Sequence, residues 1–318
     1  MNHGLHRFAL LVVCATFLLI VAGALVTSHD AGLATADWPL TEGSFLPKIE
    51  FLGISTGVNM VGNLFWEHGH RMVATTVGIL TIVLVVYLFV REERRWVRRL
   101  GIFALLAVIA QGLLGGLTVK LMLRFGISEA HATLAQLFFC TTVSLAVFTS
   151  RSWMEARPTL EEKGIPVRYL CIAALVTIFL QLILGATLRH SATWDQPLPT
   201  ELVLGHIGGA IAVTIMLSIA AFTVFRRFPG EKFLTRPTTM ALAFLGLQLL
   251  LGLAAYLTRL KSPDDPQPLN PMVGITVAHV ACGALVFATT IVMTLRTFRV
   301  VRPTVSAFTL AASEAASR

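Results

Sequence analysis

Eight stretches of the chain carry no Lys, Arg, Asp or Glu: residues 8–27, 72–90, 101–119, 132–150, 169–188, 202–225, 238–258 and 272–295. Each is 19 to 24 residues long. A helix rises 1.5 Å per residue, so about 20 residues cross roughly 30 Å of hydrocarbon. Apolar segments of that length must satisfy their own backbone hydrogen bonds, which makes them helices. The pattern therefore predicts an all-α membrane protein with eight transmembrane helices. The basic start, the first run and the later Ala34-Thr35-Ala36 also resemble a signal peptide. Signal-peptide apolar regions span about 7–15 residues and this one has 20, so it is expected to stay as the first helix.

Composition agrees. The 318 residues are 55% hydrophobic and 13% charged, against about 25% charged in soluble domains. The net charge of +8 raises nucleic acid as a partner, but the placement of the charges answers otherwise. Eighteen Lys and Arg fall at the N-terminus, in the second, fourth and sixth connections and in the tail, against six in the remaining connections. That bias places both termini in the cytoplasm and assigns the charge to insertion and lipid contact, with no nucleic acid implied.

The runs repeat. The third, fifth and seventh end in Gln111-Gly112-Leu113-Leu114-Gly115, Gln181-Leu182-Ile183-Leu184-Gly185 and Gln248-Leu249-Leu250-Leu251-Gly252, and the first has Gly23 with Leu19 in place of Gln. The small residues serve close helix packing or leave room for a flat ligand. Each even helix carries one histidine near its outer end, within or at the mouth of the apolar run: His70, His131, His206 and His279. These features predict two pseudo-symmetric four-helix bundles of one orientation, residues 1–150 and 151–300, with a cytoplasmic tail at 301–318.

An ionisable residue inside a membrane helix is costly and is a functional candidate. Four at matching places point to ligation. Zinc needs three or four protein ligands, and no Cys or carboxylate set completes such a shell. Haem iron needs only axial ligands, so two histidines per bundle suit one haem in each half, toward the extracytoplasmic face. His3, His6, His29 and His190 are expected in solvent, and His68 is given no ligand role.

The halves differ in one respect. Glu67 precedes His70 by three residues, where the other three histidines have Ser128, Val203 and Thr276. Such a carboxylate acts as base, nucleophile or stabiliser of a developing cation, or merely caps a helix. Arg71 is placed to pair with a haem propionate or to snorkel into headgroups.

With these residues the sequence resembles the haem A synthase family over nearly its whole length. The resemblance rests on the eight helices, the four histidines, Glu-x-x-His-Arg at residues 67–71, and Gly32-Leu33-Ala34-Thr35-Ala36-Asp37-Trp38-Pro39-Leu40, which is similar to the family's Gly-Leu-(x)-Cys-Pro-Asp-Trp-Pro. It implies an oxidoreductase that converts the C8 methyl group of haem O to a formyl group through haem I, giving haem A for terminal oxidases. It implies that His70 and His131 hold substrate haem O, that His206 and His279 ligate a haem b cofactor, and that Glu67 is catalytic. By the same resemblance the protein sits in the bacterial inner membrane, haem O synthase supplies its substrate, cytochrome oxidase assembly factors are partners, and homo-oligomerisation is left open. The sequence departs from the family at the outer-loop cysteines. Thr35 and Thr41 stand where the first pair would be, and Cys14, Cys140, Cys171 and Cys282 all fall within apolar runs.

Two other classes compete. A dihaem cytochrome exchanging electrons with quinone explains four histidines but not the lone Glu67 and Arg71. A transporter is expected to have broken helices at the midplane, and these runs lack them. Between the first two runs, the apolar residues 51–66 are expected to lie along the membrane, cover the first haem site or form an irregular connector. Residues 262–271 read as a Pro-rich turn.

Overall fold

A computed structural model describes residues 3–44, 46, 48–51, 54–162, 164–191, 199–261 and 270–303. The helices are α1 (His3–Ser28), α2 (Gly62–Arg91), α3 (Arg95–Lys120), α4 (Ile127–Thr149), the short α5 (Arg151–Glu155), α6 (Val167–Ser191), α7 (Thr200–Arg227), α8 (Lys232–Lys261) and α9 (Asn270–Val300). Eight of them, all but α5, are long and apolar enough to cross a bilayer, and the chain is a multi-pass membrane protein. Two small strand pairs join them. β1 (Ile49–Phe51) and β2 (Ile54–Thr56) form an antiparallel hairpin, and β3 (Leu160–Glu162) runs parallel to β4 (Val301–Pro303). The apolar connector before α2 is thus a hairpin leading into a helix. The Pro-rich turn lies outside the described residues except for its last two, which open α9, and so does the tail beyond residue 303.

The helices outrun the apolar stretches that announce them. α2 begins ten residues before its charge-free run, and α6 continues through Arg189 and His190. A charged side chain near the interface extends its polar end toward water without breaking the helix, so charge marks the edge of the hydrocarbon and not the end of the element. Glu67, His70 and Arg71 consequently all lie on α2.

Packing follows a simple order. α1 contacts α2 and α4, and α3 contacts both, closing a ring; α6 contacts α7 and α9, and α8 contacts both, closing a second. Leu84, Leu88, Phe138 and Leu145 are buried in the first ring, and Ile178, Leu217, Leu234 and Met293 in the second. Ile20, Phe139, Val143, Ala284 and Ala288 of α1, α4 and α9 are buried together where the rings meet. The buried residues of α1 fall at 5, 9, 12, 16, 20, 24 and 28, the three- and four-residue spacing of one helical face, so α1 is a packed member of the first ring. Large apolar residues such as Leu18, Ile79, Leu106 and Leu250 face outward, where they meet lipid.

Buried hydroxyls inside this apolar body bond locally. Buried Thr16, Thr81, Thr238 and Thr290 each donate to the carbonyl four residues back. Pro237 has no N–H to bond the carbonyl of Phe233, and Arg296 Nη1 donates to that oxygen at 3.2 Å instead.

The α2–α3 turn carries a compact charge cluster. Glu92 Oε1 accepts from the Arg94 backbone N–H at 3.0 Å and from Nε at 2.8 Å, and Oε2 accepts from Nη2 at 2.8 Å. Nη2 also donates to Phe148 O at 2.8 Å, tying the turn to α4. Burial raises the Glu92 carboxyl, but the Arg94 bonds outweigh it and hold it below its ordinary range. Glu92→Gln is expected to cost about 1–2 kcal/mol. A depressed pKa contributes stability above the unfolded value, about 4.3, and loses it as pH falls through the folded value. Thermal unfolding in detergent checks this: the deficit of the variant is full at neutral pH and shrinks below pH 4.

Candidate functional site

Four times in the structure a glycine on one helix faces an imidazole on the next. A Cβ at Gly23 would stand 3.2 Å from Cε1 of His70, and at Gly115 3.1 Å from that of His131. At Gly185 it would stand 3.0 Å from His206 Cε1, and at Gly252 2.9 Å from His279 Cε1. The glycine is a notch for the ring. The two readings of the repeated motif are thus joined in one device, since close packing of each helix pair is what seats its histidine.

The motif glutamines reach the same partners. Gln111 Nε2 donates to His131 O at 2.8 Å and Gln181 Nε2 to His206 O at 2.8 Å, with the His206 ring Nδ1 at 3.1 Å. Gln248 Nε2 lies 3.2 Å from His279 Nε2. In α1, Leu19 stands in the glutamine position, so His70 has no such neighbour from the motif.

Hydrogen bonding engages the rings of His206 and His279 through Gln181 and Gln248 but does not satisfy every ring nitrogen. Nδ1 of His70, His131 and His279 is buried without a partner, which is unusual for a polar atom kept for structure alone. His206 and His279, from facing sides of the second ring of helices, have centroids 6.3 Å apart and planes at 71°. Two metal–nitrogen bonds of about 2 Å, with about 1 Å from nitrogen to ring centre on each side, also give about 6 Å. These two imidazoles would be the protein's donors to one iron if a haem is held in this ring. Among the described residues no group of three or more His, Cys, Asp or Glu is arranged to hold a metal ion, which suits a metal whose other ligands come from a macrocycle.

The first ring has an addition at its histidine end. Glu67 is 4% exposed; its Oε1 accepts from Arg71 Nη2 and its Oε2 from the Thr35 N–H at 3.0 Å. Arg71 Nη1 donates to Asp37 O and Leu40 O, each at 2.7 Å, and to Thr41 Oγ1 at 3.1 Å. Arg71, expected at a propionate, has both Nη atoms engaged within the protein. The Trp38 indole lies so close to Gly116 of α3 that a Cβ there would clash, and Lys120 Nζ donates to Ala36 O at 3.4 Å. The segment from Ser28 to Ser44 therefore crosses the histidine end of the ring as a cover latched by Glu67 and Arg71.

Other residues expected in solvent are not there. His190 is half-buried on α6. Its neighbour Arg189 crosses between the rings, with Nη2 donating to Ala24 O at 3.0 Å and Ser28 Oγ at 2.7 Å, beside the Gly23 notch. His29 stacks on Trp66 at 4.0 Å, and His6 Nδ1 lies 3.0 Å from Ala146 O. His68 is 2% exposed with both ring nitrogens unpartnered. The offset from charge-free runs concealed His190 and Arg189, and nothing local in the sequence marks the burial of His68.

A family model described as cytochrome oxidase assembly protein (COX15-CtaA) matches residues 6–195, more than half of the chain. The chain belongs to this family. Similar proteins include one named heme A synthase from Lysinibacillus sphaericus (strain C3-41), 25% identical over 285 residues, which are 81% of this chain and 87% of the relative. A heme A synthase of Symbiobacterium thermophilum is 27% identical over 274 residues, covering 78% and 84%. One from Beijerinckia indica subsp. indica is 37% identical over 142 residues, covering 42% and 38%. The COX15-CtaA match spans both histidines of the first ring, the latched cover and the Gln181–Gly185 motif of α6.

The notch makes a sharp prediction. Gly252→Ala must displace His279, whereas Gly246→Ala on the same helix meets nothing within 4 Å. The first variant is expected to retain haem about tenfold or more weakly and the second normally. Absorbance per mole of purified protein, before and after a haem-scavenging wash, checks it.

Proposed function

We propose that this protein oxidises the methyl group of haem O to a formyl group, yielding haem A, the activity carried in the names of its relatives. The observation that carries the proposal is the asymmetry between two matched histidine pairs. Both sit in glycine notches, but only the pair His70 and His131 has a buried carboxylate, Glu67, three residues from one of its members. A pure electron carrier needs both pairs and has no use for that acid.

In this reading His70 and His131 hold substrate haem O, and His206 and His279 hold haem b. When bound, haem b supplies a one-electron redox centre to the second ring. Conversion of methyl to formyl consumes one water and releases four protons and four electrons, in two stages by way of an alcohol and a gem-diol that loses water. Glu67 stands on the face of α2 that carries His70, with a fixed orientation because Thr35 holds one oxygen and Arg71 the other. Its negative charge stabilises an electron-poor methyl carbon, and the carboxylate takes up protons as water adds. Arg71 balances that charge while the site is closed, which a buried carboxylate requires. The cover over the histidine end limits water at the reacting carbon to what the reaction uses.

The positive-inside bias places the termini in the cytoplasm and both histidine pairs toward the outer face of a bacterial inner membrane. A prenyl-bearing haem O arriving from its synthase, and haem A leaving toward oxidase assembly, both travel in or along the bilayer.

Glu67→Gln is the test. The amide keeps an oxygen for the Thr35 N–H, so the cover is expected to stay closed and haem O to bind. Conversion measured by chromatography of extracted pigment is expected to fall about a hundredfold or more. A purified variant that makes haem A at the normal rate would remove Glu67 from the mechanism.

A further inference from the structure

At the arginine-rich end of the molecule, opposite the histidines, a cavity of about 600 Å³ opens between the two helix rings. One wall is aromatic. Trp96 and Trp153 each meet Phe148 edge to face, at 4.7 and 4.8 Å, and all three belong to the first ring or to α5 beside it. The other wall comes from α6, α9 and β4 and brings Arg168, Arg299 and Arg302. Among the described residues no carboxylate lines the cavity. The nearby acids are accounted for: Glu155 pairs with Arg151 at 2.7 Å, Glu162 with Arg227 at 3.3 Å, and Glu161 lies opposite Arg302 on the exposed side of the β3–β4 pair.

The arginines are positioned but not satisfied. The Arg299 guanidinium lies over the Trp153 ring, 5.4 Å from its centroid, and Arg168 lies against Tyr169, with Nη2 donating to its hydroxyl at 3.4 Å. Nε of both Arg168 and Arg299 is buried without an acceptor. A ring face orients a guanidinium but accepts none of its in-plane N–H bonds, and leaving such a donor buried and unmade is costly. An anion with several oxygens, entering between the rings, supplies the acceptors. Phe298 and Trp96 at the rim are exposed and apolar, at the depth where membrane proteins carry aromatic residues against the headgroup layer.

We propose that this cavity binds the phosphate headgroup of an anionic phospholipid from the cytoplasmic leaflet, held by Arg168 and Arg299, with its glycerol and first acyl carbons against the Trp96–Phe148–Trp153 wall. A basic pocket between transmembrane helices on the cytoplasmic side is a recurrent site for such headgroups. The bound lipid bridges the two rings at the end opposite the histidine pairs. The proposal rests on the membrane reading of the fold and is independent of any haem chemistry.

The full chain, purified in neutral detergent, is titrated with phosphatidylglycerol or phosphatidylcholine and examined by native mass spectrometry, with inorganic phosphate as a separate arm. One phosphatidylglycerol per chain is expected to be retained. Arg168→Gln/Arg299→Gln is expected to weaken retention about tenfold or more. Arg91→Gln/Arg226→Gln, at exposed positions of the same interface, is expected to leave it unchanged. Equal losses in the two double variants would show general charge attraction and overturn the site. Displacement of the lipid by millimolar inorganic phosphate would overturn the lipid assignment. Should the cavity variant fail to fold, the wild type in bilayers still decides. Brominated phosphatidylglycerol is expected to quench tryptophan fluorescence more than brominated phosphatidylcholine at equal mole fraction, and equal quenching overturns the proposal.

Discussion

Everything at the histidine end depends on one contact, an imidazole set against a glycine Cα on the neighbouring helix. In hydrocarbon there is no hydrophobic force to draw two helices together, so close approach comes from small residues and from bonds made across the interface. The glycine lets α1, α3, α6 and α8 come near enough for a ring to fill the gap, and the ring is then held in one orientation. Three glutamines add a bond from the same helix to the histidine-bearing partner. The result is a ligand fixed before anything binds, as a metal site requires.

Repetition of that contact makes the departure in the first ring informative. There Leu19 replaces the glutamine, and a buried ion pair, Glu67 with Arg71, is added on the helix of the histidine. Two charges removed from water at a membrane face are costly unless every lone pair and proton is used. Here the covering segment uses them, because backbone groups of Thr35, Asp37 and Leu40 and the hydroxyl of Thr41 complete the pair. The resemblance of the sequence to the family would put cysteines where Thr35 and Thr41 stand. In this chain hydrogen bonds through those two residues do the fastening, and the described cysteines are free within the helices.

The two ends of the molecule solve different problems with the same residue type. At the histidine end Arg71 and Arg189 are turned inward, onto a carboxylate and onto the end of α1. At the other end Arg94 closes the α2–α3 turn against Glu92, while Arg168 and Arg299 lie on aromatic faces with donors unspent. Arginine counts in a sequence do not separate these roles, because the difference lies in what each guanidinium meets after folding.

The eight spans, the Gln-x-x-x-Gly repeats, the four histidines and the lone Glu67 were all readable in the chain, because hydrocarbon thickness and helical rise leave one solution for an apolar run of about 20 residues. Where a span ends was not readable, since a charged residue at the interface can belong to the helix, and for that reason the sequence puts His190 in solvent. The partner of each glycine, the burial of His68, the latch over Glu67 and the cavity between the rings were decided only by the tertiary structure. Each is a contact between different helices or segments, from 16 residues apart for Gly115 and His131 to about 200 across the cavity, and such contacts follow from how helices pack side by side and leave no mark in the local order of residues.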